Sequence, residues 1–259
     1  MTGPKIITLD IETSPIVAYV WSLWKQNVGL NQIVRDWTVL SFSAKTLGDR
    51  TIRYMDVAGQ VDLYDDGAVM SELWKELDSA DVIVAQNGIR FDVRKINARF
   101  LTLGFAPPTP YKVVDTMVEA KKVAMFTSNK LEWLSAVLTD TPKSKHKSFP
   151  GFELWTECLA DNPKAWAEMR KYNVQDVKAT EALYLKLRPY IEGHPNLAVL
   201  DDDETMRCPK CLSPKLQQRG FATTQTGQYP RYQCTSCGGW SRGRYTVNTK
   251  QKRKSLLSN

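Results

Sequence analysis

Two groups of residues in this 259-residue chain have the types and spacing that chemistry needs. The first is acidic: Asp10 and Glu12 stand two apart in KIITLDIETSP, Asp92 ends NGIRFD, and Asp176 ends YNVQD. Alternation along a strand puts Ile7, Leu9 and Ile11 on one face and Thr8, Asp10 and Glu12 on the other. Both carboxylates then project to the same side, just before Pro15 stops regular pairing. Asp176 falls in a helical pattern with Tyr172 four residues earlier, on the same helical face. Val177, Ala179, Ala182, Leu183, Leu185 and Leu187 turn that helix inward. Four acids from a strand, a loop and a helix could therefore converge, and they would repel unless cations sat among them. Oxygen-only ligation suits Mg²⁺ or Mn²⁺. Two such ions can activate a water on one side of a phosphorus and stabilise the leaving oxygen on the other, which is phosphodiester hydrolysis. Tyr172 adds a hydroxyl suited to orienting that water, although a ring there also serves ordinary packing.

The second group is sulfur. Cys208-Pro-Lys-Cys211 and Cys234-Thr-Ser-Cys237 are two Cys-x-x-Cys pairs with 22 residues between them. That spacing suits a zinc ribbon, each pair forming a knuckle around one structural Zn²⁺; a redox dithiol is the competing reading. Cys158 reads as an inert core thiol. The charge follows the same division: residues 204–259 hold eleven Lys and Arg and one acid, a net +10, whereas residues 1–203 carry −3. Bases and aromatics interleave in YPRYQC, GGWSRGRY and KQKRK, the composition of a nucleic-acid contact surface. A solvated basic face with a disordered tail is the alternative.

These residues need elements to hold them. TVLSFSA and RTIRYMD read as strands divided by the turn signal Gly48-Asp49. MSELWKEL places Met70, Leu73, Trp74 and Leu77 on one helical face. DVIVAQNG is a buried strand ending in a turn, and FDVRKINARFLTLG a helix with a glycine stop. NKLEWLSAVL is a further helix, with Asn129 and Glu132 spaced as a capping box. A long helix starts at Asn162-Pro163 and runs to about Arg188. Strands followed by alternating helices and strands predict a layered α/β domain with a mixed sheet. Apolar residues (42%) and charged ones (24%) match a globular protein. No apolar run is long enough for a bilayer and no signal peptide is evident, so no membrane partner and a cytoplasmic, intracellular location are expected. The acidic run DDDE marks a boundary: a catalytic domain over residues 1–200, a linker over 201–206, a ribbon over 207–247 and a basic tail over 248–259.

In their order along the chain, LDIET, NGIRFD and YNVQD resemble the three exonuclease motifs of the DEDD superfamily of 3′-to-5′ exonucleases. DIETSP and the stretch from VVDTM to NKLEWLSAVL most resemble the proofreading domains of family-B DNA polymerases. Lys171 stands where the superfamily's His branch carries histidine, so the resemblance is to the Tyr branch. It implies a ribonuclease H-like fold and a metal-dependent exonuclease that releases nucleoside 5′-monophosphates. By the same resemblance Asp10, Glu12 and Asp176 would hold the metal that activates water, Asp10 would bridge to a second metal supported by Asp92, and Tyr172 would orient the nucleophile. Thr13 and its neighbours would contact the terminal nucleotide, Asn87 and Phe91 would shape the pocket behind it, and Asp115 would be structural. DNA is expected ahead of RNA, with a replication or repair protein as a further partner of the ribbon. A ribonuclease H-like endonuclease or transposase, and a non-catalytic binding module, remain alternative readings.

Overall fold

The structure, a computed structural model, describes residues 3–258. It divides into two compact units, one formed by Lys5–Tyr184 and the other by the chain from Leu185 onward with Gly3 and Pro4. The division falls in the last turn of the longest helix, upstream of the acidic run. Asp201 and Asp203 of that run pair with Arg207.

In the larger unit, strand β1 (Ile6–Thr13) follows its alternation, and Ile7, Leu9 and Ile11 are buried in the main apolar cluster. A two-stranded ribbon of β2 (Val17–Ala18) and β3 (Ile33–Arg35) precedes the antiparallel pair β4 (Val39–Thr46) and β5 (Arg53–Asp56). Helix α1 (Gly67–Asp78) buries Met70, Leu73 and Leu77, while half-buried Trp74 donates from Nε1 to the Ala106 carbonyl at 2.7 Å. Strand β6 (Val82–Ala85) leads into α2 (Asp92–Leu103), which buries Ile96 and Phe100 and ends at Gly104 with φ 76°. Then come β7 (Lys112–Asp115), α3 (Thr116–Val123), α4 (Leu131–Leu138), α5 (Glu153–Leu159) and α6 (Pro163–Leu187).

The sheet order is β5-β4-β1-β6-β7. Strand β1 is antiparallel to β4 and parallel to β6, and β6 is parallel to β7. The sheet is thus mixed, flanked by helices, and changes hand of pairing at β1. Parallel neighbours bring their carboxyl ends to one rim, where open α/β sheets bind ligands. Asp10 and Glu12 lie at that end of β1.

One capping expectation fails. Helix α4 starts after Lys130, with no side-chain cap, because the Asn129 carbonyl is engaged by the Gln86 amide at 2.9 Å and the Asn129 side chain caps nothing. The start of α6 agrees with its signal, since Asn162 Oδ1 accepts from Lys164 N at 3.0 Å. Leu185 is more exposed than the helical pattern suggests.

A buried ion pair joins α1, α2 and β4. Asp66, fully buried, accepts from Arg99 Nη2 at 2.6 Å, Arg99 Nε at 2.8 Å and Val39 N at 2.9 Å. Asp66→Ala leaves a guanidinium and a buried amide without partners, so urea unfolding should show a loss of about 3–5 kcal/mol. An unchanged midpoint would mean that water replaces the carboxylate there.

The smaller unit is built on a three-stranded antiparallel sheet, ordered β10-β9-β8, of β8 (Leu216–Thr223), β9 (Gln228–Cys234) and β10 (Trp240–Arg242). A short helix, α7 (Lys250–Lys254), is capped by Thr249. Among the described residues no helix is long and apolar enough to cross a membrane.

Candidate active site and four-cysteine centre

The acids are delivered by three elements. Pairing of β1 with β6 ends at Thr8 and Val84, so beyond Thr8 that edge of β1 is open. Asp92, the first residue of α2, fills part of the gap: its Oδ1 accepts from Ile11 N at 3.3 Å. From α6, buried Asp176 meets the acids of β1, and one carboxylate oxygen each from Asp10, Glu12 and Asp176 lie within 4.8 Å of one another. Asp92 stands outside this tight triad but lines the same cleft. That cleft, of about 210 Å³, is walled by the four acids, Gln86, Asn87, Phe91, Lys143 and Tyr172.

Of the remaining expected residues, Asn87 and half-exposed Phe91 border the cleft. Thr13 does not line it; it lies past a register shift after Glu12, paired with Val39. Asp115 organises the turn between β6 and α2, accepting from Asn87 N at 3.0 Å and Ile89 N at 3.1 Å, and also caps α3 through Met117 N and Val118 N. Asn87 sits at φ 62°, a conformation that asparagine tolerates. Gly88 must be glycine, because a Cβ would lie 2.4 Å from that of Ala85.

Several residues here were not read from the sequence. Asn173, fully buried beside Tyr172, donates from Nδ2 to Asp10 Oδ2 at 2.5 Å and accepts from Ser41 Oγ at 3.4 Å, which fixes the orientation of Asp10. Lys143, from the segment between α4 and α5, pairs with Asp176 Oδ2 and lies 4.3 Å from the Tyr172 ring centroid. Tyr172 meets His146 edge-on at 5.1 Å and Trp155 at 6.1 Å. The one signal in the sequence was that Asn173 is the second residue of the YNVQD motif.

The electrostatics are those of carboxylates short of positive charge. Burial, then Asp176, Glu12 and Asp92, push Asp10 well above the usual carboxylate range, with Lys143 opposing. Burial first, then Asp176, push Glu12 up to about 8 against Lys143 and a hydrogen bond from Trp155. Burial raises Asp92 to about 7, against its backbone hydrogen bonds. Asp176 is raised by burial despite Lys143. Burial alone would lower Lys143, but Asp176 and Tyr172 outweigh it, so Lys143 stays cationic. One lysine among four acids leaves them under-neutralised, and Asp176 Oδ1 is buried with no hydrogen-bond partner among the described residues. A hard divalent cation fits this donor set.

The sign of the pH dependence follows. In the fold Glu12 and Asp92 hold protons that the unfolded chain has already released, so stability falls as pH rises through the window from about 4.5 to about 8 for Glu12 and from about 3.8 to about 7 for Asp92. In magnesium-free buffer the melting temperature should therefore drop over this range, and Mg²⁺ should restore it at the alkaline end. A flat profile with no response to Mg²⁺ would show that water solvates these groups.

In the smaller unit the four cysteines come together. Cys208 and Cys237 sulfurs lie 3.6 Å apart, Cys211 and Cys234 sulfurs 3.7 Å, and all four lie within 4.8 Å. Disulfide sulfurs would be about 2.05 Å apart. A tetrahedral ion with bonds of about 2.3 Å sets its sulfurs about 3.8 Å apart, so the set fits a metal rather than two bridges. Burial raises the Cys234 thiol, but backbone N–H groups of Cys237 and Ser236 outweigh it and bring it down to about 7. Cys158 is buried in the other unit, as expected of a core thiol.

A family model described as RNase_H superfamily matches residues 29–188, more than half of the chain. The chain belongs to the RNase H superfamily. The matched span includes Asp92, Tyr172 and Asp176 but begins after β1, so the placement of Asp10 and Glu12 rests on the structure. Among solved structures, the family B DNA polymerase from the hyperthermophilic archaeon Pyrobaculum calidifontis is similar at 16% identity with a TM-score of 0.49, over 73% of this chain and 26% of the polymerase. This RNase H superfamily chain thus spans about a quarter of that polymerase's length. Among curated proteins no sequence matches.

Proposed function

We propose that the protein is a 3′-to-5′ exonuclease of the Tyr branch, acting on DNA through two Mg²⁺ or Mn²⁺ ions and carrying one structural Zn²⁺. The observation that carries this reading is the joining of Asp10, Glu12 and Asp176 with Tyr172 in one cleft where, among the described residues, Lys143 is the only lining cation. When bound, the two ions supply an activated water and neutralise charge at phosphorus. Asp10, Glu12 and Asp176 would hold them, with Asp92 supporting the second. Asn173 keeps Asp10 facing the cleft. Burial and Asp176 push the Tyr172 phenol up to about 12, so at neutral pH it keeps its proton and orients water rather than abstracting a proton. Lys143 pairs with Asp176 and opposes the upward push that burial exerts on it. Water oxygen bonds to phosphorus, the bond to the 3′-oxygen breaks, and that oxygen takes a proton, giving a nucleoside 5′-monophosphate. Asn87 and Phe91 border the space for the terminal nucleotide, and Thr13 is placed next along the strand.

The test uses 5′-labelled single- and double-stranded DNA and RNA, with Mg²⁺ or Mn²⁺, resolved by length. A ladder shortening from the 3′ end with release of mononucleotides is expected on DNA. Cutting of a covalently closed circle at a comparable rate would make the protein an endonuclease instead, and a ladder on RNA alone would reverse the substrate.

A further inference from the structure

One face of the smaller sheet carries groups that the hydrolytic reaction does not use. Side chains alternate along a strand, so Tyr229, Arg231 and Gln233 of β9 share a face, while Tyr232 and Cys234 point to the other. In the antiparallel register Trp240 stands opposite Gln233, and Arg242 opposite Arg231. The diagonal neighbours then meet in pairs: the Arg231 guanidinium is 5.0 Å from the Trp240 ring centroid, and that of Arg242 is 4.2 Å from Tyr229.

Two features of this face point to a ligand. Like charges directly opposite on neighbouring strands are destabilising, yet among the described residues neither Arg231 nor Arg242 makes an ion pair. Arg231 is also fixed in place: its Nε donates to the Arg219 carbonyl at 3.0 Å, across a register shift where Gly220 adopts φ 66°. The second feature is room beside the rings. Trp240 is 44% exposed and borders a cleft of about 530 Å³ with Tyr190, Lys186 and Gln233.

We infer that this face is a stacking platform for single-stranded nucleic acid, with a phosphate held between Arg231 and Arg242 and unpaired bases against Trp240 and Tyr229. The inference rests on the reading of the chain as a nucleic-acid enzyme, but not on hydrolysis. An excess of ten positive charges over residues 204–259 supplies the complementarity to a polyanion. Paired bases in a duplex hide their faces, so the exposed Trp240 ring and the half-buried Tyr229 ring favour an unpaired strand, and stacking tolerates any base. A protein partner would meet the same rings, but it would not answer two opposed guanidiniums unless it brought its own anions.

The test measures binding by the full chain carrying Asp10→Asn, in magnesium-free buffer. The probes are fluorescent strands of twelve thymidylates, an abasic strand of equal length and charge, and a duplex. The thymidylate strand should bind at least about tenfold tighter than the abasic one. Trp240→Leu with Tyr229→Leu should remove most of that difference while leaving abasic affinity and zinc content unchanged. Arg231→Gln with Arg242→Gln should weaken both strands and flatten the log–log salt slope by about 0.7, for the one single-strand phosphate they hold. Strands carrying 5-iodouracil should crosslink to Tyr229 or Trp240, which tests the placement without any variant. The proposal is overturned by crosslinks elsewhere, by equal losses on thymidylate and abasic strands in the Trp240→Leu, Tyr229→Leu variant, or by a duplex bound as tightly as the single strand. A wild-type chain that makes a 3′ ladder without base-dependent binding would sink the platform and spare the exonuclease; base-dependent binding without a ladder would do the reverse.

Discussion

Asp10→Ala will reduce the rate of mononucleotide release at least about a hundredfold, a loss of some 2.7 kcal/mol of transition-state stabilisation, while the protein melts no lower than wild type. Both halves follow from the same geometry. Asp10 sits within 4.8 Å of both Glu12 and Asp176 and is oriented by Asn173, so its loss takes away a carboxylate that the two proposed ions would share. In the metal-free fold, however, Asp10 is a half-buried carboxylate repelled by Asp176, Glu12 and Asp92. Removing it relieves repulsion, whereas removal of the buried, fully paired Asp66 is expected to destabilise. An inactive but well-folded Asp10→Ala, beside a destabilised Asp66→Ala, would separate catalytic from structural acids. If Asp10→Ala kept more than about a tenth of wild-type activity, the two-metal reading would fail. Tyr172→Phe should cost less, because every carboxylate ligand survives.

The parts of the site that were legible in sequence are those governed by short periodicities. Alternation placed Asp10 and Glu12 together on β1, and helical spacing placed Tyr172 and Asp176 together on α6. Lys143 was not legible: it lies in a segment with Lys145 and Lys147, without periodicity, and nothing local distinguishes the lysine that reaches Asp176 across 33 residues. Asn173 was missed for the opposite reason. It lies next to Tyr172, but one residue along a helix turns the side chain about 100° away, so the i, i+4 pairing that found Asp176 passes over it. The Asn129–Glu132 capping pattern misled because a tertiary contact, Gln86 to the Asn129 carbonyl, decides where α4 begins. The β2–β3 ribbon gave no alternation, and Trp21 and Trp24 between its strands are exposed, so no burial pattern marked it. Cysteine spacing needed no periodicity, since paired knuckles are a local signature of ligation.

Cys208→Ser should abolish zinc binding and unfold the smaller unit while the larger one persists. The smaller unit has few buried apolar side chains to hold it: Leu187, Ile191 and Leu197 are buried, but none lies on the three-stranded sheet, where only Cys234 is buried. Metal binding to a four-cysteine site of this size is worth about 10–16 kcal/mol, and that binding energy is folding energy. Serine leaves three thiolates and an open position. The centre also has a charge that depends on the metal. Four thiolates on Zn²⁺ carry a net charge of about −2, and Lys210 beside them is almost buried, its ammonium donating to the Pro189 carbonyl at 2.7 Å. Burial lowers the Lys210 ammonium, against the pull of Cys237 and Cys208, so loss of the thiolate centre removes part of what supports its charge. The expected record is zinc falling from one per chain to none, rapid proteolysis after the end of α6, and a retained unfolding transition from Lys5–Tyr184. That transition should still respond to Mg²⁺, because every candidate ligand for it precedes Leu185. A variant that kept one zinc and resisted protease would show that three cysteines suffice, and loss of both transitions together would show that the two units fold as one.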